Sequence, residues 1–267
     1  MTDSKFTDFI GIVKRLRKEC PWDREQTNDS IKSNTIEEAY EVVEAIDNKN
    51  YEELKKELGD LLLHVVFHTQ IAEEQNYFKI DDVIDSIQSK LIRRHPHVFG
   101  ETKVADSNEV KKNWEEIKLS EGRESVLDGV PHNLPALQRA NRLQEKAAKV
   151  GFDWEKKEDV WEKVIEEIKE MQEVEKLKTQ SDKNSEINEL NSKLENEVGD
   201  VLFAMVNYSR FLGINPEDAL RKTNEKFIKR FNYVQSKVKE SGKTINESNL
   251  KEMDKFWNES KKLPEFN

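Results

Sequence analysis

The sequence predicts an all-α protein built by tandem duplication of one helical unit, and three observations carry that reading. Charged residues make up 37% of the 267 residues, while Gly and Pro number only nine and six; such a composition favours helices over turn-rich sheets. An acidic signature occurs twice in the same order, as Glu37-Glu38-x-x-Glu41 then Glu57-x-x-Asp60, and as Glu166-Glu167-x-x-Glu170 then Glu197-x-x-Asp200. Four landmarks keep one order, the mark of a repeat. Glu37 matches Glu166 at an offset of 129 and Asp60 matches Asp200 at 140; Lys90-Leu91-Ile92-Arg93-Arg94 matches Lys226-Phe227-Ile228-Lys229-Arg230 at 136, and Trp114 matches Trp257 at 143.

Taken in chain order, Thr35 followed by Glu38 reads as a capping box that opens the first acidic helix. The short connection from Asp47 to Glu52 encourages antiparallel packing of that helix against the next. There Glu57-Leu58-Gly59-Asp60 leads into Leu61-Leu62-Leu63-His64-Val65-Val66-Phe67, apolar on nearly every face, as a core helix is. Ile80-Asp81-Asp82 starts the helix carrying the first basic pair. Gly122, Gly129, Pro131 and Pro135 gather between Ser120 and Pro135, where a boundary is expected. The predicted domains are therefore 1–120 and 136–267, with a linker at 121–135. In the second copy, Asp159 followed by Glu162 repeats the helix start, and Glu197-Val198-Gly199-Asp200 leads into Val201-Leu202-Phe203-Ala204-Met205-Val206. The offset grows by eleven between the two acidic helices, and the extra residues fall in Thr179-Gln180-Ser181-Asp182-Lys183-Asn184-Ser185, which has the composition of a mobile loop. Asn215-Pro216-Glu217-Asp218 supplies a cap, a first-turn Pro and two acids to the second basic helix.

Helix geometry says which acids converge. Glu37 and Glu41 are four apart, Glu38 and Glu41 three, and Glu57 and Asp60 three, so each set shares a face; Glu166, Glu167, Glu170, Glu197 and Asp200 repeat this. Carboxylates at the rim of an apolar core are costly unless a cation answers them. Mg²⁺ takes oxygen ligands and is neutralised by carboxylates, so a Mg²⁺ site acting on phosphates is the expected chemistry, with more than one ion suggested by five acids. Lys226 with Arg230, and Lys90 with Arg94, are four apart and suit phosphate oxygens or a solvated basic face. His64 and His68, also four apart, read as packing or supporting residues, since Ala204 and Tyr208 replace them in the second copy. Trp22, Trp114, Trp154 and Trp161 read as core or dimer-contact residues. The net charge of −10 implies no attraction to nucleic acid. One cysteine, Cys20, excludes an internal disulfide framework; no signal-peptide pattern and no membrane-length apolar stretch is seen. A cytoplasmic protein is expected.

Beside the acidic pattern stand Cys20-Pro21-Trp22-Asp23-Arg24-Glu25-Gln26-Thr27, Arg93-Arg94-His95-Pro96-His97-Val98-Phe99, Val150-Gly151-Phe152-Asp153-Trp154 and Asn224-Glu225-Lys226-Phe227. With these segments almost the whole chain resembles the two-domain members of the MazG family of nucleoside triphosphate pyrophosphohydrolases. The resemblance implies a four-helix bundle in each domain, a homodimer, and Mg²⁺-dependent hydrolysis of a nucleoside triphosphate between the α and β phosphates. By position, Glu167, Glu170, Glu197 and Asp200 resemble the family's metal ligands, Glu166 lies beside them, and any of these acids could serve as general base. Lys163, Lys193, Lys226, Arg230 and Trp257 resemble its substrate contacts, the cations on phosphates and the Trp near the nucleoside. Glu37, Glu38, Glu41, Glu57 and Asp60 form a second candidate site. Asn196 departs from the pattern, where an additional acid is expected, which bears on the number and affinity of metals.

Lys163 corresponds to Asn34 and Lys193 to Glu53, so the first copy lacks two cations a triphosphate needs. The C-terminal copy is therefore expected to be the main catalyst. A narrower enzyme for dUTP or a modified nucleotide, and a non-catalytic helical module binding metal or nucleotide, are the alternatives.

Overall fold

The computed structural model describes residues 2–106, 109–110, 113–114, 117, 121, 125–181 and 183–264. Gly122 of the expected boundary and Asp182 of the expected loop lie outside the described residues. Every regular element among the described residues is helical, and the chain divides into two compact units, Met1–Val110 and Lys111–Asn267.

The N-terminal unit holds α1 (Thr2–Glu19), α2 (Pro21–Glu25), α3 (Asn28–Asp47), α4 (Tyr51–Glu74), α5 (Ile80–Arg94) and α6 (Pro96–Phe99). α3 and α4 pack side by side across a three-residue connection, and Asn50 begins α4 by accepting the Glu53 N–H. α1 closes one side of this pair, and Val13, Ile31, Val66, Phe67 and Ile71 form the buried centre with Phe6, Phe9 and Leu63 packed on it. Arg17 of α1 is buried at 8% exposure. Its guanidinium donates to both carboxylate oxygens of Glu74 at 3.0 and 2.6 Å, and to the carbonyls of Asp23 and Gln26. It also lies 5.4 Å from the centre of the Phe67 ring, a cation–π contact.

The C-terminal unit repeats the plan with α7 (Ala136–Lys149), α8 (Lys157–Gln180), α9 (Asn184–Phe211), α10 (Pro216–Glu240), a 3-10 turn at Ile245–Glu247, and α11 (Leu250–Ser260). α8 and α9 are its central pair, α7 packs on α9 and α10, and α11 on α10. Val160, Val164, Val206, Val234 and Val238 are buried. Asn215 caps α10 as expected, accepting the N–H groups of Glu217 and Asp218, with Pro216 in the first turn. α5 starts where Ile80-Asp81-Asp82 places it, the Lys79 N–H donating to Asp82 at 2.9 Å.

Four expectations are corrected. α3 begins seven residues before Thr35, because Thr27 and Ser30 cap each other's backbone reciprocally at 3.1 and 2.9 Å; Thr35 stands in mid-helix. Likewise α8 starts at Lys157, leaving Asp159 in its first turn, where an acid favours the helix dipole rather than capping it. The apolar runs are not buried all round: Leu58, Leu62 and Val65, and their repeats Val198, Leu202 and Met205, are exposed on one face, with Leu62 at 42% and Leu202 at 52%. Lastly, Thr179 and Gln180 belong to α8, and Asn184 and Ser185 to α9, so much of the insertion lengthens the central helices. Glu and Lys favour helix on both sides of it, and Glu186 ties the tip by accepting from Ser181 and Lys183 at 2.9 Å.

Replacing Arg17 by Met keeps the apolar contact to Phe67 and removes the ion pair. Because Glu74 is half-exposed, the expected loss in a urea titration is about 2 kcal/mol; a loss below about 0.5 kcal/mol would show that the pair is not structural.

Candidate active site

Each central helix pair brings its acids together. In the C-terminal unit, oxygens of Glu167, Glu197 and Asp200 all lie within 4.8 Å of one another; in the N-terminal unit, Glu38, Glu41 and Glu57 do the same. An octahedral Mg²⁺ at about 2.1 Å from its oxygens spaces them by roughly 3 to 4 Å, so either trio needs only small movements to hold one. Registered on the repeat, the two trios together cover four of the five acidic positions of the signature, Glu37 and Glu166 belonging to neither. Glu170 is exposed and outside its trio, and Asp60 is outside its own but close enough for its charge to act on Glu38.

The two sites differ in electrostatics. Glu167 is buried at 8% exposure and is answered by Lys163, whose ammonium lies 2.7 Å from Glu167 and 2.9 Å from Glu166. Those hydrogen bonds, to Glu167 first and then Glu166, push the Lys163 ammonium well above its ordinary range. Asn34 stands in that place in the first copy. Glu57, at 9% exposure, is instead pushed up to about 7, first by burial and then by hydrogen bonds with the Glu53 and Glu41 carboxyls. Burial and then the charges of Glu41 and Asp60 raise Glu38 too. Glu38 and Glu57 thus hold their protons more tightly than usual, where the C-terminal site has an ammonium.

Thr35, displaced from its expected capping role, joins the first site to two histidines. Its hydroxyl oxygen lies 3.1 Å from His64 Nδ1 and 2.8 Å from His68 Nε2, and His68 Nδ1 lies 2.7 Å from Asn28 Oδ1. Burial lowers both histidines below their usual range, His68 further through its neighbour His64, while Asp60 opposes the fall at His64. His64 Nε2 is 3.9 Å from Glu38, so this network supports a carboxylate of the site.

A cavity of about 840 Å³ opens beside the C-terminal carboxylates and is lined by Lys163, Glu167 and Asp200 at one end. Most of the remaining wall is apolar, including Leu127, Leu143, Phe203 and Ala204, with the amides of Gln144 and Asn207 among them. Gln144 Nε2 donates to the Phe203 carbonyl at 2.8 Å, and Asn207 Oδ1 accepts from Arg210 Nε and Nη2 at 3.1 and 2.8 Å. Arg210 also pairs with both carboxylate oxygens of Asp153, holding the Gly151-Phe152-Asp153-Trp154 turn at the cavity wall. Lys146, buried, donates to the carbonyls of Val126 and Asp128 at 3.1 and 2.9 Å and so seats Leu127. Gln144, Asn207 and Arg210 are not singled out by the sequence reading; the signal that reaches them is the size difference between copies at Ala204 and His64.

The expected substrate contacts divide. Lys163 is at the carboxylates, while Lys193 is exposed near Asn196 on a separate open depression. Lys226 and Arg230 lie on α10, and Trp257 on α11 packs 5.3 Å from Phe227, ring centre to ring centre; these three are not part of the cavity lining. Trp154 and Trp161 are partly exposed, and Trp161 packs 4.9 Å from Tyr208.

The fold and the site define a duplicated all-α unit with an acidic helix pair in each copy, and comparison with known proteins makes the class specific. Residues 26–99 and 155–235 match the MazG nucleotide pyrophosphohydrolase domain. The chain belongs to the MazG family of nucleotide pyrophosphohydrolases and carries its domain twice. It is 42% identical over 261 residues, covering 96% of this chain and 95% of the relative, to the nucleoside triphosphate pyrophosphohydrolase/pyrophosphatase MazG of Thermotoga maritima. It is 43% identical over 261 residues to the nucleoside triphosphate pyrophosphohydrolase of Escherichia coli, covering 95% of this chain and 96% of that one. An uncharacterized Bacillus subtilis protein, YabN, is 48% identical over 262 residues, 96% of this chain and 52% of its own length.

The raised Glu57 acid sets a pH dependence for the metal-free chain. Below about pH 4.5 both states hold the proton; between there and about 7 the unfolded chain releases it while the folded chain keeps it, so stability falls as pH rises. In the presence of EDTA, thermal unfolding should come earlier as pH is raised from about 5 to about 8, and Glu57→Gln should flatten that slope. A midpoint insensitive to pH, or a slope unchanged by the variant, would contradict the proton assignment.

Proposed function

We propose that the chain hydrolyses nucleoside triphosphates to nucleoside monophosphate and pyrophosphate with Mg²⁺, chiefly at the C-terminal unit. The observation that carries this reading is the trio Glu167, Glu197 and Asp200 beside Lys163, opening onto a cavity large enough for a nucleotide. The names of the full-length relatives support it. Mg²⁺, when bound, supplies charge for the phosphate oxygens and acidifies a water.

The residues themselves account for the rest. Glu167, Glu197 and Asp200 would hold the cation, and Lys163 offers a positive charge that can exchange from Glu167 to a phosphate oxygen. In the reaction, a water oxygen adds to the α-phosphorus, the bond to the bridging oxygen breaks, and pyrophosphate leaves with that oxygen. The water's proton passes to a carboxylate or to solvent. The N-terminal unit lacks a cation at Asn34, and its Glu38 and Glu57 hold their protons more tightly instead, which supports a secondary role.

A homodimer belongs to the same reading. Leu58, Leu62 and Val65 form a stripe at i, i+4 and i+7, repeated at Val198, Leu202 and Met205, and all six are exposed in the single chain. Two such stripes on the central helices suit a partner surface. No helix of the described residues is long and apolar enough to cross a membrane, and the acidic net charge gives no reason to expect nucleic acid. A cytoplasmic place is in keeping with these features.

Two measurements test this. Glu167→Ala or Asp200→Ala should lower Mg²⁺-dependent pyrophosphate release by roughly 100-fold or more, with Asp60→Ala costing less than about threefold; equal losses would refute the C-terminal assignment. Leu62→Lys combined with Leu202→Lys should halve the mass seen by light scattering, and an unchanged mass would place any partner surface elsewhere.

A further inference from the structure

The two histidines of α4 take no part in the proposed hydrolysis, yet their hydrogen bonds decide where one nitrogen lone pair points. The contacts run in series from Asn28 through His68 and Thr35 to His64. Asn28 Oδ1 only accepts, so His68 Nδ1, 2.7 Å away, carries a proton. Burial favours the neutral form of both rings, which makes His68 Nε2 an acceptor. The Thr35 hydroxyl, 2.8 Å from that nitrogen, therefore donates to it, the Ile31 carbonyl being farther at 3.3 Å. With its one proton used, the Thr35 oxygen accepts from His64 Nδ1 at 3.1 Å. His64 Nε2 is left as a bare lone pair.

That lone pair faces acids. His64 Nε2 lies 3.9 Å from Glu38 Oε1, too far for a hydrogen bond and within the roughly 3 to 4 Å that separates two ligands of one cation. Both side chains are largely buried, so two acceptors are held together with little water to screen them. Asp60, four residues before His64 and on its face of α4, acts electrostatically on both. Glu57, 9% exposed, meets the carboxyls of Glu53 and Glu41, and the neighbouring Lys56 ammonium is held by Glu53 at 2.9 Å. Among the described residues no Lys or Arg pairs with Glu38 or Glu57. A cation is what this arrangement calls for.

The donor set also says which cation. In the C-terminal unit Ala204 stands at the register of His64 and an ammonium answers the buried acid; its trio is all oxygen, a setting for hard Mg²⁺. The N-terminal trio has an imidazole nitrogen at its edge instead. Imidazole suits first-row transition dications, whereas Mg²⁺ prefers carboxylate, carbonyl and water oxygens. A ligating histidine is held by its other N–H on an oxygen acceptor, and Thr35 is that acceptor for His64.

We propose that the N-terminal unit holds a first-row transition dication through His64 Nε2 and Glu38, with Glu41, Glu57 and Asp60 as further oxygen donors, and that Thr35 orients His64 for it. Co²⁺ is the probe, added to the full-length chain with Mg²⁺ in large excess. The chain should retain one Co²⁺ and show one strongly shifted, exchangeable imidazole N–H resonance by proton NMR, that of His64 Nδ1. His64→Gln should abolish the resonance and weaken Co²⁺ binding roughly 100-fold, and Thr35→Val should weaken it roughly tenfold. Glu167→Gln should leave the Co²⁺ signal unchanged. Circular dichroism reports whether each variant folds, and Thr35→Val, which keeps the imidazole, decides the matter if His64→Gln does not fold. No Co²⁺ retained against Mg²⁺, affinity unchanged in the histidine and threonine variants, or a loss confined to Glu167→Gln would overturn the proposal. No step of hydrolysis enters it, so a chain that releases no pyrophosphate would refute the proposed activity and leave this site standing.

Discussion

Like charges held close together at the rim of an apolar helix pair are the constraint around which both units are organised. A buried carboxylate must find a cation, a proton or a hydrogen-bond donor. Glu167 has found Lys163, whereas Glu57 keeps its proton and shares hydrogen bonds with its acidic neighbours. A divalent ion would answer either situation, and acids placed this close are preorganised for one. Two acids of each five stand outside the trio.

Duplication has allowed the copies to meet that constraint differently. In the N-terminal unit the space beside the acids is taken by a satisfied ion pair, a ring and a histidine network, all of which add packing and hydrogen bonds. In the C-terminal unit small side chains leave the space open and an ammonium takes over the charge. One copy has more internal contacts beside its acids; the other has an open cavity there. Exchanges of this kind between stability and function are expected where a site depends on unfilled volume.

The acidic signature was legible because its spacing is set by helix periodicity and its repetition is improbable on a surface. Asn215 was legible because a cap, a first-turn Pro and acids occupy fixed offsets. Thr35 misled because Thr27 and Ser30, eight and five residues earlier, already satisfy the helix start, leaving its hydroxyl for the histidines. The apolar runs after Asp60 and Asp200 say that water is unwelcome on every face, without saying whether each face meets its own chain. Polar residues around Thr179 suit an exposed helix end as well as a loop, since both are solvated. Gln144 and Asn207 are amides of an ordinary kind, and it is the tertiary approach of α7 to α9 that makes them part of a wall.

Lys146 draws the least regular part of the C-terminal unit into that wall. Its ammonium grips two carbonyls of a stretch that belongs to no helix, and Leu127 between them faces the open volume. A stretch outside the helices is therefore tied to the bundle through a side chain of α7, like a panel riveted to its frame, and the wall at Leu127 depends on that fastening.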